Sequence, residues 1–269
     1  MTAPLRFERH GAVALVTLDR PERHNALSPE LICRLDDAFA EIRDDPELRV
    51  SVVTGAGEAT FCSGGDLELT LPLLTGARAP QDDWDRRLLD DPDILHRTTL
   101  KGVTFDKPVI AAVNGACLAG GFELMLGTDI RFAADHAVFG LPEAKHGLIP
   151  FAGALVRLPR QVPQAVAMEL LMTGAPIGAG AARAAGLVNR VLPPAEVLPA
   201  ALETAERIAR NGPLALAEIK RVVTGTSGLP LDQAYALETE AMGRVMRSAD
   251  AREGPAAFME KRNPAFRGA

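Results

Sequence analysis

The segment from Pro108 to Pro150, PVIAAVNGACLAGGFELMLGTDIRFAADHAVFGLPEAKHGLIP, constrains the chain more than any other. It opens as a buried apolar strand over Val109–Val113 and turns through glycines at Gly115, Gly120 and Gly121. It then enters a helix with an acid, Glu123, in its first turns. A second acid, Glu143, follows twenty positions later at a Leu-Pro-Glu break. Backbone N–H groups at a glycine turn feeding a helix can hold a developing oxyanion. Two carboxyls in one apolar site can divide general acid and general base work. An acid at a helix start is also favoured by the macrodipole alone, so neither Glu123 nor Glu143 is informative singly. Their combination with the glycine turn reads as an active site.

The rest of the chain supplies the frame. Gly11–Leu18 and Leu48–Thr54 read as Val-rich strands, and Ile130–Phe139 as further strand. Pro29–Asp44 has helical spacing of Leu31, Leu35, Phe39 and Ile42. A strand, a Gly-Gly turn and an acidic helix start occur at Gly64-Gly65-Asp66 and again at Gly120-Gly121-Phe122-Glu123. That internal repeat suggests an α/β fold of stacked β-β-α turns more than a doubly wound nucleotide fold. Residues 72–98, rich in Asp, Arg, Pro and Gly, read as a mobile or variable connection. From Gln164 onward helices dominate: 165–172, 180–185, 195–210, 213–223 and 231–248. The shift places a boundary near residue 200, giving a core over 1–199 and a helical C-terminal region over 200–269.

Composition narrows the function classes. A net charge of −6 without a basic stripe argues against nucleic-acid binding. Three cysteines, Cys33, Cys62 and Cys117, form no C-x-x-C pair and read as free thiols of a reducing cytoplasm. The N-terminal apolar run is too short and too charged for a signal peptide or a membrane span, so a soluble cytoplasmic protein without a membrane partner is expected. Gly55 and Gly57 begin a dinucleotide-like turn, but Thr60 stands where the third glycine is needed. Tyr235 has Thr239, not lysine, four places on, and Ser63 has Phe61 where a nucleophile elbow requires glycine. The five histidines show no metal-ligand spacing. His146, three residues after Glu143, is the one histidine placed for chemistry, and reads more simply as a loop side chain.

The strings FCSGGD, AAVNGACLAGGFELMLGTDIRFAA and FGLPEAKHGLIP followed by RLPR resemble the crotonase superfamily, the enoyl-CoA hydratases and isomerases. The likeness runs from LDRPERHNAL to the tail AAFMEKRNPAF. It implies a crotonase-like spiral of β-β-α repeats, a helical C-terminal trimerisation region, and homotrimers or homohexamers. It implies an oxyanion hole of the Gly65 and Gly120 N–H groups, with Glu123 and Glu143 sharing one water. Two acids favour hydration or dehydration of an acyl-CoA thioester; isomerase branches usually lack one of them. An isomerase on the same scaffold and a non-catalytic acyl-CoA binder are the alternatives. Coenzyme A enters as part of the substrate, with no metal or other cofactor. The resemblance places Arg23, Ala26, Ser63, Asp66 and Leu67 around it, with Phe258 and Lys261 closing the site, sometimes from a neighbouring subunit. Two positions depart from the pattern: Phe151 replaces a glycine beside the water, and Glu68 stands where a coenzyme-binding lysine is common. The LPEAKHGLIP and EGPAAFMEKRNPAF strings look more like the carnitinyl-CoA dehydratase-type branch than the short-chain fatty-acid hydratase.

Overall fold

Val13–Leu18, Val50–Gly55 and Val109–Val113 are buried at every residue, as strands covered on both faces must be. In the computed structural model, which describes residues 3–269, these are β2, β3 and β5 of a six-stranded sheet. With β1 (Leu5–His10), β7 (Ile130–Ala134) and β10 (Arg190–Leu192) the order is β1-β2-β3-β5-β7-β10. β1 pairs antiparallel with β2, and every other neighbouring pair is parallel. A second sheet has the order β4-β6-β8-β9, from Thr60–Cys62, Ala116–Leu118, Val138–Gly140 and Ile177–Gly178.

The pairs β3/β4, β5/β6 and β7/β8 each give their first strand to the larger sheet and their second to the smaller one. Helices follow each pair, which produces the expected β-β-α spiral. The corner after β5 needs glycine for lack of space: a Cβ on Gly115 would lie 2.3 Å from the Ala59 carbonyl. Asn114 ties the same corner, donating to the Gly57 oxygen at 2.7 Å and accepting from the Gly55 N–H at 3.1 Å. The single strand expected over 130–139 is two strands in different sheets. A turn closed by Ala137 N–H to the Ala134 carbonyl lets the chain cross from one sheet to the other.

Residues 72–98 correct a second expectation. They carry the end of α2 (Thr70–Leu74), then α3 (Asp83–Asp90) and α4 (Ile94–Thr98). Leu73, Leu88 and Ile94 are buried. The charges that suggest a solvated linker are engaged: Asp36 of α1 (Pro29–Asp44) accepts from Arg87 and from Arg97, and Arg78 pairs with Asp85. α5 (Gly120–Leu126) follows β6, and α6 (Ala154–Gln161), α7 (Gln164–Thr173) and α8 (Ala179–Ala184) flank β9. α6 is a helix the sequence pattern does not announce, since Pro159 lies inside it.

The boundary expected at 199/200 falls inside α9 (Pro194–Ala209). Val197, Ala201 and Ala205 of this helix are buried in the main core, so the core runs through Ala209. α10 (Pro213–Gly225), α11 (Leu231–Arg247) and α12 (Asp250–Met259) form the extension. Lys220 of α10 docks it by donating to Asp129 at 2.8 Å and to the Lys107 carbonyl at 2.9 Å. Among the described residues no helix is long and apolar enough to cross a membrane.

Candidate active site

β4 and β6 are parallel neighbours with Cys62 opposite Cys117, so the turns that follow them are side by side. The first turn holds Gly64-Gly65 and the second Ala119-Gly120. Gly64 has φ +99°, and a Cβ there would stand 2.6 Å from Ala119 Cβ and 3.0 Å from the Gly120 nitrogen. The Cβ position of Gly120 lies 3.7 Å from the Gly65 nitrogen. Leu27 clamps the first turn: its N–H donates to the Gly64 carbonyl at 2.8 Å, and its carbonyl accepts from Asp66 N–H at 3.1 Å. This one-residue bridge leaves the Gly65 N–H facing the other way. Gly120 is the first residue of α5, where backbone N–H groups have no intrahelical acceptor. Neither N–H meets an acceptor among the described residues. Ala119, at φ 47° and ψ −127°, takes a backbone conformation that costs a non-glycine residue about 1–3 kcal/mol. That strain sits at the turn that aims the Gly120 N–H.

Glu123 is the fourth residue of α5 and is 3% exposed. Its Oε1 accepts the Ala154 N–H at 3.0 Å from the start of α6. Burial pushes its carboxyl up to about 7, against the Ala154 hydrogen bond, and the charge of Glu143 adds to the rise. Arg131 and Gln161 hold the far end of the helix by donating to the Leu126 carbonyl, each at 3.1 Å. Glu143 lies in a 3₁₀ turn, Pro142–His146, that the proline initiates. Its Oε2 is buried with no hydrogen-bond partner among the described residues. Burial raises this carboxyl too, and His146 acts in the opposite sense. The arrangement joins two N–H donors free for an oxyanion to two carboxyls that each resist ionisation.

Five of the expected coenzyme residues cluster at the Gly64-Gly65 turn. Ser63 N–H donates to the His24 carbonyl at 3.1 Å, Arg23 pairs with Glu68, Ala26 is buried beside Leu27, and Leu67 is 67% exposed. Asp66 differs in kind from the other four. Its carboxylate is buried, pairs with Arg20 at 2.9 Å and caps the N–H groups of Glu68 and Leu69 at 3.0 and 3.1 Å. Its side chain is therefore committed to the fold of the turn. Phe258 and Lys261, at the end of α12, are exposed, and no hydrogen bond or ion pair among the described residues links them to this cluster. Phe151 is 49% exposed, so its ring is not sealed over Glu123, and its carbonyl accepts from Lys101 at 2.7 Å.

Sequence reasoning passes over Arg20, Lys101 and Arg157. Arg20 and Arg157 stand inside the motif strings LDRPERHNAL and RLPR, and only their three-dimensional partners give them a task. Among the described residues no group of three His, Cys, Asp or Glu side chains is gathered to hold a metal ion. A cavity of about 360 Å³ lies elsewhere, at the start of β3 and β5, lined by Arg49, Phe105 and Lys107 among others. It contains no paired acids, and its cations are engaged: Lys107 on the Ile42 and Asp45 carbonyls, Arg49 on those of Ala209 and Phe266, and Arg43 on Asp44.

Known proteins share both the sequence and the fold. The chain is 40% identical over 272 residues to carnitinyl-CoA dehydratase of Escherichia coli K12, covering all of both chains. It is 40% identical over 259 residues to the enoyl-CoA hydratase EchA19 of Mycobacterium tuberculosis H37Rv, covering 96% of this chain and 94% of that one. A crystal structure of an enoyl-CoA hydratase from the same organism superposes with a TM-score of 0.89 at 36% identity, covering 100% of both chains. The sequence pattern of one family, enoyl-CoA hydratase/isomerase, spans residues 8–269. Matched over residues 8–269 by that pattern, the chain belongs to the enoyl-CoA hydratase/isomerase family.

Proposed function

We propose that this protein is an enoyl-CoA hydratase-type hydro-lyase, which adds water to a 2-enoyl-CoA thioester or removes it from the 3-hydroxyacyl product. The observation that carries the reading is the pair of acids, Glu123 buried and Glu143 with a buried, unpartnered Oε2, in one site with the unspent N–H groups of Gly65 and Gly120. The reaction needs one of the two carboxyls neutral and the other ionised, and burial of Glu123 favours the neutral form there. The ionised carboxyl takes a proton from water as its oxygen bonds to the β-carbon. The electron pair moves onto the thioester oxygen, where the two N–H groups meet the enolate charge, and the neutral carboxyl then protonates the α-carbon. A single oxyanion donor is worth about 3 kcal/mol of barrier.

In this reading Arg23, Ala26, Ser63 and Leu67 line the coenzyme path and Asp66 fixes its turn. Phe258 and Lys261 reach the path of a neighbouring subunit. The exposed apolar residues Val223, Met246, Phe258 and Met259 of α10–α12 support a homotrimer, alone or paired as a hexamer, which light scattering would measure. Three buried free cysteines are compatible with a reducing cytoplasm.

The test is loss of the conjugated-enoyl absorbance of crotonyl-CoA with the native protein, Glu123→Gln and Glu143→Gln. Turnover by the native protein alone is expected. Conversion of a 3-enoyl thioester with only one acid required would overturn hydration in favour of isomerisation. Thioester binding indifferent to both substitutions, with no turnover, would leave a binder.

A further inference from the structure

α4 ends in an unusual way. Lys101 N–H donates to the His96 carbonyl at 2.7 Å and Leu100 N–H to that of Arg97 at 3.1 Å. This is the paired closure in which the left-handed residue is usually glycine. Here that residue is Leu100, at φ 53° and buried. The conformation turns the Thr99 and Leu100 carbonyls toward α6, where Arg157 donates to both, at 2.7 Å for Thr99. In the opposite direction Lys101 Nζ donates to the Phe151 carbonyl at 2.7 Å and lies 3.3 Å from His96 Nε2. Two cations thus join the same two segments reciprocally. Between their attachment points, Phe151 and Arg157, lies Ala154, whose N–H holds Glu123 Oε1 at 3.0 Å.

We propose that Lys101 and Arg157 are positioning residues for Glu123: their reciprocal bonds fix residues 151–157 and so set where the Ala154 N–H meets the carboxyl. The assignment rests on the hydratase reading for its consequence in turnover, but the geometry stands without it. Charge acts in the same direction. Among the described residues Glu123 is faced by Glu143 from the 3₁₀ turn, by Lys101 from the α4–β5 connection and by Arg157 from α6. His96 stands beside Lys101, and His146 acts on Glu143. The Lys101 cation draws the Glu123 carboxyl down, against its burial and Glu143. Arg157 is itself pulled down by burial and up by Glu123 and Asp129.

The deciding experiment is a substrate-free titration followed by carboxyl ¹³C and amide NMR on the native protein, Lys101→Met and Lys101→Arg, with Glu123→Gln to identify the resonance. In Lys101→Met the Glu123 midpoint moves up and the Ala154 amide no longer follows it; Lys101→Arg restores both. With crotonyl-CoA, kcat of Lys101→Met falls about tenfold while KM stays within about twofold. A Glu123 midpoint unchanged in Lys101→Met, or an Ala154 amide that still tracks it as in the native protein, overturns the assignment. If native protein leaves crotonyl-CoA untouched, the hydratase reading fails, and the titration still decides the positioning role.

Discussion

Gly64 and Ala119 pack so closely that a methyl group on Gly64 would stand 2.6 Å from the Ala119 Cβ. The contact is the seam between the Gly64-Gly65 and Ala119-Gly120 turns, and neither side has room to give: Gly64 is at φ +99° and Ala119 is already in a disfavoured conformation.

Gly64→Ala therefore forces the turns apart and parts the two N–H groups. On crotonyl-CoA its kcat/KM is expected to fall by about 10²–10³, the loss of one oxyanion donor, with a lower melting temperature. Gly65→Ala is the control. No heavy atom lies within 4 Å of its Cβ position and the N–H is kept, so its melting temperature stays native. Equal damage from both substitutions would remove the seam as the cause.

Glu123 makes the site a burden on stability at alkaline pH. Its carboxyl is raised from 4.5 to about 7 by burial first of all, so the folded protein holds this proton more tightly than the unfolded chain. The stabilising proton is fully present below 4.5 and is lost as the pH rises through about 7. The complete loss is worth about 3 kcal/mol. Glu123→Gln keeps an acceptor for Ala154 N–H and carries no charge. Its melting temperature should match native at pH 4.5 and exceed it increasingly toward pH 8. A gain independent of pH would show that the carboxyl is not the titrating group.

The parts of this molecule legible in the sequence are those whose partners are near in the chain. Gly120 and Glu123 share one helical turn and Glu143 follows its own Pro142, whereas the choice of the Gly65 and Gly120 N–H groups as donors rests on the family resemblance. The β-β-α turns are legible because strand, glycine pair and acidic helix start repeat; their spiral arrangement comes from the family resemblance. What stayed hidden depends on contacts across long separations: Arg20 meets Asp66 46 positions away, Lys101 meets Phe151 50 away, and Arg97 meets Asp36 61 away. An Asp- and Arg-rich stretch has the composition of a linker whether its charges meet water or one another. Only the fold decides that 72–98 carries helices, and only the packing of α9 on the sheet joins the residues on either side of 199 in one buried element.

Asp66 is expected to matter for folding more than for coenzyme affinity. Burial pushes its carboxyl up, but Arg20 and the N–H groups of Glu68 and Leu69 outweigh it, and the net shift is down from 3.8. The stability it supplies is present above 3.8 and is lost as acid takes the pH through its lower folded value. Asp66→Asn leaves Arg20 without its counter-charge and should cost about 3 kcal/mol at pH 7. The denaturant midpoint should fall while KM for the thioester, measured on the folded fraction, holds near native. A selective rise in KM at native stability would return Asp66 to direct coenzyme contact.

Asp36 holds α3 and α4 against α1, and the sole tryptophan reports on the joint. The carboxylate is 6% exposed and accepts from Arg97 at 2.7 and 2.9 Å and from Arg87 at 3.1 Å. Arg87 keeps Asp37, and Arg97 keeps Asp91, when Asp36 is removed. The cost of Asp36→Ala is therefore discounted from that of a fully buried pair to about 2 kcal/mol. Trp84 lies in α3 with the Arg34 guanidinium 5.1 Å from its ring centroid, and its carbonyl accepts from Cys33 Sγ at 3.7 Å. Loosening α3 exposes the indole, so the emission of Asp36→Ala should shift to the red and trypsin should cut faster at Arg86, Arg87 and Arg97. Native emission with native resistance to trypsin would mean that the buried Leu88 and Ile94 hold these helices by apolar packing alone.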